Sequence, residues 1–196
     1  MRRLILLSVV TFLLNACQTT RYEGNEDSPY YQIPAGSRLI LRQDVEIPPH
    51  RAGVYLQGGQ IKPLSQVNQY YPHCKFEVLK ISDIPQTVHT DRFTIEKVVQ
   101  EITDTVDAGL VRLAGISLGM GIHVHGDRGD GANIQTFATR LKLRSEKQPE
   151  VFRLSCGQSA YPYEGQHVSI KEIRRVLGDV FTLEIIGRAP ASRSGS

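Results

Sequence analysis

The chain has 196 residues, with 23 basic and 20 acidic side chains, a formal net charge of +3, three cysteines and no tryptophan. That length is enough for one domain with a sizeable core. No basic block with interleaved aromatics is present, which argues against nucleic acid as a partner.

The chain opens with Arg2 and Arg3, an apolar run from Leu4 to Leu14, and then Asn15-Ala16-Cys17. A basic start, a short apolar stretch and a small residue before the cut describe a secretory signal peptide. The run is too short to span a bilayer, which takes about 20 apolar residues, and no later stretch is long enough either. Leu14-Asn15-Ala16-Cys17 resembles the lipobox of bacterial lipoproteins, although Asn15 stands where that family more often has Ala or Ser. The resemblance implies cleavage before Cys17, with covalent lipid on Cys17 as the only attached group and no other cofactor. Lipoproteins of this kind carry three acyl chains, and several chains hold a protein firmly where one does not. In that family Asp after the cysteine favours inner-membrane retention. Gln18 stands there instead, which implies the periplasmic face of the outer membrane. An ordinary signal peptide is the alternative. Removal of residues 1–16 leaves 180 residues and two fewer arginines, so the mature charge falls to 21 − 20 = +1.

Residues 17–36 are polar and turn-forming, and they are expected to be a lipidated, flexible tether. Tyr22, Tyr30 and Tyr31 interrupt its polarity and could pack on the domain or lie at the lipid interface, a loosely docked linker being the favoured reading. The predicted domain runs over 37–188, and 189–196 reads as a disordered tail.

From Ser37 the pattern has period two. Leu39, Leu41, Val45 and Ile47 alternate with Ile40, Arg42, Asp44 and Glu46, which predicts one half-buried strand ended by Pro48-Pro49. Val54 to Gln57 begins a second strand, closed by Gly58-Gly59 as a hairpin or bulge. Tyr70-Tyr71-Pro72-His73 leads into a third, Cys74 to Ile81, broken by Pro85. Glu77 follows Phe76 and is expected to face outward as a surface charge. Arg92 to Val99 reads as a fourth strand, yet Ile95, Val98, Val99, Ile102 and Val106 also sit at helical spacing. The Thr and Val content favours a strand to about Glu101.

Residues 110–131 are a Gly-rich, apolar excursion: a mobile loop or a patch that meets a membrane or partner. Phe137, Thr139, Leu141 and Leu143 then alternate with Ala138, Arg140, Lys142 and Arg144, and Val151 to Cys156 pairs with them as a hairpin. Ser169 caps a short helix with Glu172 as its capping-box partner and Gly178 beyond its end. Val180 to Ile186 is the last strand. Seven or so short strands with one short C-terminal helix predict a mainly β fold, an antiparallel sandwich or small barrel. The βαβ alternation of nucleotide-binding folds is missing.

With Cys17 acylated, Cys74 and Cys156 remain as an even pair in an oxidising compartment. Cys74 shares a face with Phe76 and Val78, and Cys156 with Phe152 and Leu154. A disulfide is the favoured reading, with two buried thiols as the alternative. His123 and His125 point to one side on a strand, with Asp127 nearby, and could hold a metal. Two histidines without a well-placed third ligand carry little weight, and no C-x-x-C is present. Gly115-Ile116-Ser117-Leu118-Gly119 matches the letters of a nucleophile elbow, but that motif works on a strand-to-helix turn of an α/β sheet. Arg128-Gly129-Asp130 matches an adhesion tripeptide by letters alone. Tyr161-Pro162-Tyr163 is a turn whose aromatics could contact a partner. The sequence therefore favours a membrane-anchored envelope lipoprotein acting as a binding or assembly module, with an envelope protein as partner. The alternatives are an envelope enzyme of the metal-assisted hydrolase kind and a small-ligand carrier.

Overall fold

The structure, a computed structural model, describes residues 25–104 and 134–186. The alternating runs pair as antiparallel strands, because each must bury its apolar side and satisfy its backbone N–H and C=O groups. The strands are β1 (Arg38–Leu41), β2 (Val45–Ile47), β3 (Gly53–Gln57), β4 (Gln60–Lys62), β5 (His73–Val78), β6 (Gln86–Val88), β7 (Arg92–Asp104), β8 (Gln135–Arg144), β9 (Val151–Ala160) and β10 (Phe181–Glu184). One helix, α1 (Ile170–Leu177), precedes β10. Eight strands form one sheet in the order β10-β1-β7-β8-β9-β5-β3-β4, and β2 and β6 form a separate two-stranded ladder.

The large sheet curls. Four strands separate β10 from β5 within the sheet, yet the rings of Phe181 and Phe76 lie only 4.9 Å apart between centroids, and Phe93 of β7 lies 6.0 Å from Phe76. The fold is therefore mainly β, a half-barrel whose concave side is filled by its own side chains. Phe76, Phe93, Leu39, Leu56, Leu141 and Leu154 are all fully buried there.

Helix α1 closes the gap between the ends of the sheet. Ile170, Ile173, Val176 and Leu177 are buried on one stripe. At its start the Ser169 hydroxyl accepts the Glu172 N–H, and the Glu172 carboxylate accepts the Ser169 N–H at 2.8 Å. At its end the Val176 carbonyl accepts the Gly59 N–H. Gly58 and Gly59 both have positive φ, the backbone that a two-residue β3–β4 turn demands. A Cβ on Gly178 would stand 2.5 Å from the Gly59 Cα, so glycine permits this close approach.

Several expectations are corrected. The stretch 37–47 is not one strand: β1 belongs to the large sheet, and β2 leaves it to pair with β6, a strand the sequence did not suggest. Asp44 fixes the break, because its carboxylate accepts the Thr90 N–H and bonds the His89 ring, each at 2.8 Å. The third strand ends at Val78, and β7 runs on to Asp104. Residues 25–36, expected to belong to the tether, are part of the domain, with Ile33 buried in the core and Tyr31 packed against it. Glu26 pairs with Arg174 of α1, its carbonyl accepts the Lys171 N–H, and the Gly36 N–H donates to the Ile95 carbonyl.

Candidate functional site

Cys74 and Cys156 stand directly opposite on β5 and β9, with Cα atoms 4.0 Å apart, and their sulfurs are bonded. The bridge sits in the core with Phe76 and Leu154, as alternation required. Phe152 does not join that face. The register passes from Glu77–Arg153 to Val78–Val151, so Phe152 is the extra residue of a bulge and Val151 takes the buried place. The displaced Phe152 ring lies 4.8 Å beneath the Arg153 guanidinium.

Glu77 is not a free surface charge. It lies on the convex side of the sheet but is only 6% exposed, covered by its own partners. Arg153 Nε donates to it at 2.6 Å, Lys75 Nζ at 2.7 Å and the Ser155 hydroxyl at 3.3 Å. Burial alone would push this carboxyl up, but the hydrogen bonds from Arg153 and Lys75 outweigh it and hold the group below its ordinary value of 4.5. Glu77→Gln is therefore expected to destabilise the fold by about 1–3 kcal/mol at pH 7, since two partly buried cations lose their charged acceptor. A depressed carboxyl contributes its stability in full above about pH 4.5 and loses it as pH falls through the folded-state value. Urea denaturation of both proteins at pH 7 and pH 3 checks this: the gap should narrow in acid, and a gap independent of pH would make Glu77 a packing residue.

Around this group the convex face is basic. Arg140, Lys142 and Arg144 alternate along β8, and Lys142 faces Lys97 on one side and Arg153 on the other. Glu96 pairs with Lys142 and Arg144, and Glu101 with Arg140. The carboxylates lie lower in the surface than the cations that cover them, so the outermost charge is positive.

The exposed aromatics gather at one end of the half-barrel. β9 finishes there at Ala160 and enters the turn Tyr161-Pro162-Tyr163-Glu164, in which the Tyr161 carbonyl accepts the N–H groups of Glu164 and Gly165. Beside it the loop carrying Tyr70 and Tyr71 is tied down by three hydrogen bonds to Ser159 and Gln57. The Ser159 N–H donates to the Gln69 carbonyl at 2.7 Å, Gln57 Nε2 donates to the Asn68 carbonyl, and Gln57 Oε1 accepts the Asn68 N–H. Tyr163 is fully exposed, and Tyr70, Tyr71 and Tyr161 expose about half of their surface or more. Gly165 lies under the Phe137 ring, where a Cβ would stand 1.8 Å from the ring edge, so the turn is packed closely onto β8. His167 follows with its ring 6.0 Å from Phe137, and burial depresses its pKa below 6.5.

The N-terminal arm packs along α1 and β7. Pro29 accepts a hydrogen bond from Gln100 of β7, Asp27 pairs with Lys171, and Tyr30 points outward. Asp27, Pro29, Gln166, Ser169, Lys171, Glu172 and Arg175 line an open polar cleft of about 200 Å³. Four of the five exposed tyrosines among the described residues, Tyr70, Tyr71, Tyr161 and Tyr163, thus share one end, and Tyr30 stands on the arm. The opposite end carries an apolar loop with Leu79, Ile81 and Ile84 exposed.

Of the residues singled out in the sequence, Tyr161 and Tyr163 lie at this end, and Cys74 and Cys156 lie together in the core. Cys17, the excursion 110–131, His123, His125 and Asp127 lie outside the described residues. Among the described residues no group of three or more His, Cys, Asp or Glu side chains is placed to hold a metal, and no helix is long and apolar enough to cross a membrane. Sequence reasoning missed Tyr70 and Tyr71 as companions of Tyr161, although Tyr70-Tyr71-Pro72, aromatics at a turn, resembles Tyr161-Pro162-Tyr163 in composition. It also missed Leu79, Ile81 and Ile84, which were assigned to a strand or its end. No protein-family model matches the chain, no curated protein is significantly similar to it in sequence, and no solved structure matches it.

Proposed function

We propose that this chain is a lipid-anchored protein of the cell envelope that works by binding, as a docking or assembly module rather than as an enzyme. The observation that carries the reading is the pairing of the lipobox-like segment ending at Cys17 with a domain whose N-terminal arm, from Asn25 onward, is built into the fold. Such a chain holds a rigid, disulfide-bonded half-barrel within a few residues of its anchor. The filled concave side favours a binding surface over a carrier cavity, because Phe76, Phe93 and Phe181 occupy the space a small ligand would need.

The test is acyl labelling in cells, joined to crosslinking in intact envelopes. The wild-type chain is expected to incorporate labelled fatty acid and to sediment with membranes, whereas Cys17→Ala does neither. A stoichiometric crosslinked protein partner supports the module. Label retained by Cys17→Ala would refute the anchor, and turnover of an envelope substrate by the purified chain would refute the non-catalytic reading.

A further inference from the structure

We infer that the tyrosine-bearing end of the half-barrel rests in the headgroup interface of the bilayer that holds the anchor, leaving the Leu79–Ile84 end turned away from the membrane. The inference rests on the anchor reading above and adds an orientation to it. Its first support is where the chain enters the domain. Glu26 and Asp27 are fastened to α1 by Arg174 and Lys171, and Asp27 shares a cleft with Gln166, three residues from Tyr163. From Cys17 to Asn25 is eight residues, at most about 26–29 Å of extended chain. The arm crosses β7 at Gln100, and Arg92, at the far end of that strand, lies roughly 26 Å further along it. The near end therefore lies within easy reach of the bilayer. The far end reaches it only with the tether stretched back along the domain.

The second support is side-chain chemistry. Tyrosine has an apolar ring and a polar hydroxyl, which suits the boundary between hydrocarbon and water, and membrane proteins concentrate it there. Four of the five exposed tyrosines of the described residues, Tyr70, Tyr71, Tyr161 and Tyr163, lie at that near end, and Ile102 is exposed near the same end of β7. The far end exposes Leu79, Ile81 and Ile84 and, among the described residues, no tyrosine. Tyr163, Tyr70 and Tyr71 stand out on tightly bonded loops, so little conformational freedom is lost when they enter an interface. The bilayer explains both the clustering and its side of the molecule, whereas a protein partner or a second copy would explain only the clustering.

The chain contains no tryptophan, so one introduced indole reports its own surroundings. The full acylated chain, as Tyr163→Trp, Tyr70→Trp or Ile84→Trp, is reconstituted into phosphatidylcholine vesicles with bromines high on the acyl chains. Tyr163→Trp and Tyr70→Trp are expected to lose most of their emission relative to unbrominated vesicles, and Ile84→Trp to keep it. All three positions are exposed, so the substitutions leave the core intact. Quenching of Ile84→Trp alone would reverse the orientation and overturn the inference. Vesicle flotation separates the remaining outcomes. A chain that floats with an unquenched Tyr163→Trp keeps the anchor but refutes the orientation, and leaves the tyrosines to a protein or a second copy. A chain that fails to float refutes the anchor and the orientation with it.

Discussion

Cys74→Ser and Cys156→Ser are each expected to lower the unfolding free energy by about 4–5 kcal/mol, and the double variant is expected to lose no more than either single one. The cysteines are 82 residues apart, so the bridge closes a long loop in the unfolded chain and removes much of its conformational freedom. Either substitution opens the loop completely, which is why the two effects do not add. For a domain whose whole stability is of the order of 5–15 kcal/mol, such a loss is a large share. Urea denaturation of the purified variants under oxidising conditions measures it. Reduction of the wild-type protein should bring its midpoint close to that of the variants. A wild-type chain with two titratable thiols at these positions after export would refute the bridge.

Phe76→Ala is expected to cost a comparable 3–5 kcal/mol. Phe76 is fully buried, and its ring touches Phe93 of β7 and Phe181 of β10 across the concave side. It therefore joins strands far apart in sheet order, and the curl depends on it. Deleting the ring removes its burial and leaves a cavity that β5, pinned by Cys74 two residues away, cannot collapse to fill. Phe181→Ala should show a related loss, and the pair should be non-additive because the rings are in contact. The urea midpoint is again the readout. A change of less than about 1 kcal/mol would mean that α1, rather than the phenylalanines, holds the half-barrel closed.

The strand and helix types were largely legible, because local pattern carries them. Leu39 and Leu41, Phe137 to Leu143, and Phe181 and Leu183 alternate cleanly and are strands in the structure. Ser169, Glu172 and Gly178 mark the ends of α1, since capping bonds join residues three or four apart. The helix-or-strand ambiguity after Arg92 has a specific origin. A bulge at Glu96 inserts one residue into β7, so the inward side chains run Phe93, Ile95, Val98, and the step of three imitates a helix. A bulge at Phe152 likewise moves that ring out of the face that alternation assigned to it. Strand periodicity cannot show such an insertion, because the partner strand decides where it falls.

Neighbouring residues alone specify a mainly β chain, a capped helix near its C-terminus, a tight Gly58-Gly59 turn, and two cysteines on apolar strand faces. The reading of Met1 to Cys17 as an export and lipidation signal also rests on sequence alone. The three-dimensional packing alone shows that Glu77 is covered by Arg153, that residues 25–36 belong to the domain, and that Tyr70, Tyr71, Tyr161 and Tyr163 share one end. Each of these depends on contacts between distant parts of the chain: Glu77 with Arg153, Glu26 with Arg174, Gln69 with Ser159. The order and curl of the sheet create those contacts. A hydrophobic pattern specifies which side of a strand is buried, but not which strand lies beside it, and at that second level the surface of this molecule is arranged.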